Sequence, residues 1–119
     1  MTVREPAVAG MFYPAEAGQL QREISSLLGN AETESGPLPN GPVPKAIIVP
    51  HAGYVYSGPV AAAAYQLLTP ARHDIHRIVL FGPAHRVYLE GMAVPAANGF
   101  VLPTAHIRWM KTGAGRTSG

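Results

Sequence analysis

The chain has no cysteine among its 119 residues. Disulfides and thiolate metal ligands are therefore excluded, and cysteine usage leaves the redox compartment open. Charge is also scarce, with 13% Asp, Glu, Lys and Arg against 47% apolar residues. Nine basic residues scattered along the chain give a net charge of +2 but no patch. Nucleic acid is not expected as a partner. No apolar run approaches the roughly 20 residues that span a bilayer, so no membrane is expected as a partner. Met1-Thr2-Val3-Arg4-Glu5-Pro6 lacks the apolar core of a signal peptide. A cytoplasmic location is the expectation. Two common catalytic signatures are missing as well. Gly53 and Gly58 have phosphate-loop spacing, but Pro59 follows where lysine and a hydroxyl residue are needed. No Gly-x-Ser-x-Gly elbow occurs, and Ser57 has no evident acid–base relay.

What is present is organised around Lys45 to Gly58. The apolar run Ala46-Ile47-Ile48-Val49 ends at Pro50-His51, and a loop with Gly53, Tyr54, Tyr56 and Gly58 follows. The arrangement partly recurs in Arg77-Ile78-Val79-Leu80-Phe81-Gly82-Pro83-Ala84-His85. Apolarity without alternation suggests strands covered on both faces, as in a parallel sheet. Between them, Val60 to Leu68 is alanine-rich and helical by propensity. Ser57 is a plausible N-cap, Gly58-Pro59 opens the helix, and Thr69-Pro70 stops it. Strand, helix and strand make a βαβ unit with a right-handed crossover. The predicted class is α/β with a mostly parallel sheet. Gly91 to Pro95 is a weaker third strand candidate.

Upstream, Pro14 suits a first helical position, and Leu20, Ile24, Leu27 and Leu28 share one helical face. Glu16, Gln19, Arg22 and Glu23 fall on the other side. Gly29-Asn30 is a stop signal, so a packing helix is predicted over 15–28. Residues 1–13 read as an arm, with Phe12 and Tyr13 candidates for a pocket wall. Residues 30–44, rich in Gly and Pro, read as a loop inside one domain, because residues 1–29 are too few for a core of their own.

Ligands of a parallel sheet bind beyond the carboxyl ends of its strands, where His51 and His85 are expected. Adjacent strands lie about 4.8 Å apart, so two such imidazoles could meet at one metal ion. Imidazole suits zinc, iron or copper. A catalytic metal site needs about three protein ligands and an open position, and the sequence supplies two. His73 and His76 flank Asp74 in a stretch that reads as a solvated turn. Tyr54 and Tyr56 could donate hydrogen bonds to a ligand or pack with wet hydroxyls.

Three segments together resemble the Memo family, whose bacterial members are called AmmeMemoRadiSam system protein B. They are Arg4-Glu5-Pro6-Ala7-Val8-Ala9-Gly10-Met11-Phe12-Tyr13-Pro14, Val49-Pro50-His51-Ala52-Gly53-Tyr54-Val55-Tyr56-Ser57-Gly58 and Phe81-Gly82-Pro83-Ala84-His85. The resemblance implies a fold like the class III extradiol dioxygenases, ring-opening non-haem iron enzymes. It implies His51 and His85 as pocket histidines and metal ligands, with iron or copper as the metal. Phe12 stands where many members carry tryptophan on the pocket rim, and Arg86 where some carry a second histidine. It also implies Ammecr1-like and radical-SAM proteins as partners. Members run to more than twice this length, and their third pocket residue, commonly cysteine, has no counterpart here. After Phe100 the likeness stops. The expectation is an incomplete Memo-like domain over 1–100 and a divergent, disordered tail over 101–119, from a truncated or frameshifted gene. Three functions are open: a dioxygenase-type oxidoreductase, a peptide or small-ligand binding module without chemistry, or a non-functional fragment.

Overall fold

The computed structural model describes residues 2–36 and 41–108. They fall into two compact units. One is the continuous stretch Val8–Arg77, and the other joins the residues before Val8 to those from Ile78 onward.

The first unit is helical. Helix α1 spans Ala17–Ser35 and α2 spans Tyr54–Tyr65, continued by a 3-10 turn over Gln66–Ala71. The apolar stripe on α1 does place a helix here, but its ends differ from expectation. Pro14 lies outside the helix, and Glu16 is the N-cap. Its carboxylate accepts N–H bonds from Gly18 (2.9 Å) and Gln19 (2.6 Å), two donors with no intrahelical partner. Arg22 stands 3.9 Å from the same carboxylate. At the other end the helix runs through Gly29-Asn30 and ends at Gly36, whose φ is +77°. Ala31 explains the overrun, because it is buried one turn past the expected stop. Tertiary burial there outweighs a local break. Of the expected loop 30–44, residues 37–40 lie outside the described residues.

The two N–H bonds hold the Glu16 carboxyl below its ordinary value near 4.5. A depressed carboxylate stabilises the fold above its unfolded pKa, and that contribution is lost as pH falls through the lowered folded value. Far-UV circular dichroism should therefore show α1 weakening on acidification. Glu16→Gln should remove part of that pH dependence. An unchanged acid titration in the variant would count against this cap.

The buried apolar residues of the described chain are Leu20, Ala31 and Ala62. Leu20 and Ala31 belong to α1 and Ala62 to α2, two helices that pack on each other. The approach is close at Gly58, where an added Cβ would sit 3.0 Å from Leu27 Cδ1. Gln66 is buried too. Its Nε2 donates to the Ala31 carbonyl at 3.3 Å, while its Oε1 has no hydrogen-bond partner. The small residues of α2 thus admit a helix, where a sheet was expected. Helix α2 begins at Tyr54, three residues before the expected cap at Ser57. Pro59 therefore lies inside it. The Ser57 hydroxyl instead donates backward to the carbonyls of Ala52 (2.8 Å) and Gly53 (3.2 Å).

The second unit holds a three-stranded mixed sheet in the order β1-β2-β3. Strand β1 (Val3–Arg4) pairs parallel to β2 (Gly99–Leu102), with Val3 opposite Gly99. Thr2 and Asn98 extend the pairing: the Asn98 N–H donates to the Thr2 carbonyl at 2.7 Å, and the Thr2 N–H to Asn98 Oδ1 at 3.1 Å. Strand β3 (Ala105–Arg108) returns antiparallel, through Pro103-Thr104, with Leu102 opposite Ala105. Proline suits the first central position of such a turn because its ring presets φ. Gly99 is buried, and a Cβ there would meet the Ile107 carbonyl oxygen at 3.0 Å.

The class is α/β, as expected, but the βαβ unit is not formed. Residues 46–50 and 77–82 lie in no strand, and neither does 91–95. A ladder needs a partner at the right register, and no described segment pairs with either run. Ile48 is fully exposed, and Ile78, Val79, Leu80 and Phe81 are 75–81% exposed. Their apolar character is real, but the cover and pairing that such a run calls for are not among the described residues. Conversely, residues 101–108, read as part of the tail, lie in the hairpin; residues 109–119 are outside the described residues.

Candidate functional site

The site in the Val8–Arg77 unit begins with the arm. Gly10 takes φ +82°, a left-handed conformation that glycine adopts without steric cost. The chain folds back on itself there, with the N–H groups of Met11 and Phe12 both donating to the Val8 carbonyl (3.0 and 2.9 Å). The Phe12 carbonyl then accepts from the Tyr54 N–H at 2.8 Å. Tyr54 opens α2, and its N–H has no partner within the helix. The arm is thus fastened to the start of α2 by an otherwise unmatched donor. Ser57 braces the same turn from below through the Ala52 and Gly53 carbonyls.

An open cleft of about 620 Å³ lies between arm, α1 and α2. Phe12, Tyr13, Tyr54 and Tyr56 line it, with Gln19 and Glu23 from α1. The rings of Tyr13 and Tyr54 stand 5.7 Å apart, tilted by 41°, an ordinary attractive aromatic geometry. Burial pushes the Tyr54 phenol above its ordinary value, and Tyr13, Glu23 and Tyr65 add to the shift.

The cleft brings together Phe12, Tyr54 and Tyr56, the three pocket residues expected from sequence. Gln19 and Glu23, assigned to the outer side of α1, line it too. Their i, i+4 spacing puts them on one face, and that was the available signal. His51 is exposed and precedes Ala52 on the lining. His85 is also exposed and belongs to the other unit. Among the described residues no group of three or more His, Cys, Asp or Glu side chains could hold a metal ion. These residues alone therefore do not fit a catalytic metal centre, and no chemical step is derived through one. No helix of the described chain is long and apolar enough to cross a membrane.

Comparison with known proteins decides the family. The family model described as Memo-like protein matches residues 4–108. The chain belongs to the Memo family. The match to the Memo model covers the arm, the cleft and the β2–β3 hairpin, and continues past Phe100, beyond the motifs that carry the sequence resemblance. Among curated relatives, Protein MEMO1 of Danio rerio is 35% identical over 108 residues, covering 91% of this chain and 34% of that protein. A MEMO1 family protein of Aquifex aeolicus is 42% identical over 104 residues, covering 87% and 35%. A third, from Methanococcoides burtonii, is 42% identical over 92 residues. This Memo chain spans about one third of the length of these relatives. No solved structure matches it significantly.

Proposed function

We propose that this Memo-family chain contributes a binding cleft for a small organic ligand or a peptide side chain, without catalysing a reaction on its own residues. One observation carries the reading. The N-terminal arm is pinned to the α2 start so that four aromatic side chains wall a single open cleft. Its volume is in the range of small-molecule sites, which are mostly apolar with a few placed polar groups. Aromatic walls contribute area at little conformational cost, and Gln19 and Glu23 supply the polar contacts.

Nuclear magnetic resonance on the full chain tests this. Small aromatic ligands should shift the signals of Tyr13, Tyr54 and Tyr56 together, and Phe12→Ala should weaken that binding by about tenfold. Binding that shifts residues elsewhere and ignores Phe12 would sink the reading.

A second reading is favoured by the position of His51 next to the cleft lining. In it, His51 and His85 are two ligands of an iron or copper ion, and further ligands come from outside the described residues. The class would be an oxidoreductase related to the extradiol dioxygenases, of the AmmeMemoRadiSam system protein B type, working beside Ammecr1-like and radical-SAM proteins. Metal analysis after loading with ferrous or cupric ion discriminates: His51→Ala and His85→Ala should each lower the bound stoichiometry. Equal loading in wild type and both variants would remove this reading and leave the first standing.

A further inference from the structure

We infer that the cleft selects an organic cation, an ammonium or guanidinium group carried on an aromatic or aliphatic body. The inference rests on the cleft being a binding site and names the chemistry of its ligand. Phe12, Tyr13, Tyr54 and Tyr56 line the cleft, and Glu23 is the one charged residue on its lining. No lysine, arginine or histidine lines it among the described residues. The balance of charge there is negative, although the chain as a whole carries +2.

Aromatic faces carry negative quadrupole density and attract cations within about 6 Å of the ring centre. A carboxylate beside them adds a direct ion pair and a hydrogen-bond acceptor. The arrangement is unfavourable for anions, which would meet the Glu23 carboxylate with no cationic side chain on the lining to offset it. The Coulombic effect of Glu23 on Tyr54 supports the placement, because it puts the carboxylate within electrostatic reach of the ring that opens α2. Arg22, the nearest cation in sequence, is engaged with Glu16 at the helix cap, 3.9 Å away. Gln19, one turn before Glu23, can accept a second hydrogen bond from the same cation through its amide oxygen.

The test uses the full chain and three probes of similar size: phenethylammonium, neutral 2-phenylethanol and anionic 3-phenylpropanoate. Tyr13 and Tyr54 resonances report occupancy at neutral pH. Phenethylammonium should bind at least about fivefold more tightly than the alcohol, and the anion more weakly than either. Glu23→Gln keeps size and helix propensity and should erase most of the preference for the cation. Gln19→Glu adds a carboxylate to the cleft and should enlarge the preference, so the outcome does not hang on one variant. Equal affinity for cation and alcohol, or tightest binding of the anion, overturns the inference while leaving the cleft a ligand site. No resonance shift with any of the three overturns the inference and the cleft reading together.

Discussion

Leu20→Ala should abolish the cooperative unfolding transition of the Val8–Arg77 unit. Leu20 is 3% exposed, and only Ala31 and Ala62 join it as buried apolar residues of the described chain. A buried Leu→Ala change costs about 2–5 kcal/mol, part from lost transfer energy and part from the cavity left behind. Small domains have net stabilities near the lower end of about 5–15 kcal/mol. Here the other two buried apolar side chains are alanines, which bury little area, so the loss falls on a unit with little reserve. Thermal melts followed at 222 nm should show wild-type helix content giving way to a shallow, non-cooperative slope in the variant. Leu20→Met is the control, since a volume-conserving change usually costs less than about 1.5 kcal/mol. A Leu20→Ala protein that melts within a few degrees of wild type would mean that the α1–α2 contact is not what holds this unit.

The second large effect is expected at Ile78-Val79-Leu80-Phe81. Four consecutive large apolar side chains are 75–81% exposed, on both sides of an unpaired stretch. Unpaired, apolar backbone is a template for pairing with another chain. The chain should therefore self-associate with rising concentration, as seen by sedimentation velocity. Covering one such side chain contributes about 1.5–3 kcal/mol to association. Val79→Lys with Phe81→Lys should therefore weaken association at least about tenfold. Those two positions alternate with Leu80, so both charges fall on one side of an extended chain. The double variant should leave the α1–α2 melt unchanged, because neither residue belongs to that unit. A wild-type chain that stays monomeric across the whole range would remove the expectation.

The parts of the molecule that were readable from sequence share one property: their signal is local. Leu20, Ile24, Leu27 and Leu28 repeat at helical spacing, and α1 follows. The same holds for the motif-bearing segments whose resemblance pointed to the Memo family. The ends of α1 were not readable. Glutamate is an uncommon N-cap, and only the folded side chain reaching back to Gly18 and Gln19 reveals it. The strands failed for the opposite reason. Apolar runs such as 46–50 announce a wish for burial, but pairing depends on a partner distant in sequence. Of the strands that do form, β1 and β3 are exposed and carry polar residues such as Arg4, His106 and Arg108, while the apolar β2 runs across residue 100, where the tail was expected to begin. In the cleft, Phe12, Tyr54 and Tyr56 were named from motif and loop position. Glu23 was hidden by its place opposite the apolar stripe of α1.

The pairing of Val3 with Gly99 has a consequence in time. Val3 and Arg4 leave the ribosome well ahead of their partners at 99 and 100, which follow almost a hundred residues later. The Val8–Arg77 stretch is continuous, so α1 and α2 can meet while synthesis is still under way. Val3 and Arg4 are therefore made early and paired late, after the helices have had time to assemble. Closing that long loop is the slow, entropically costly step. Any extension fused ahead of Met1 is carried into that late event, while the helices have by then finished theirs.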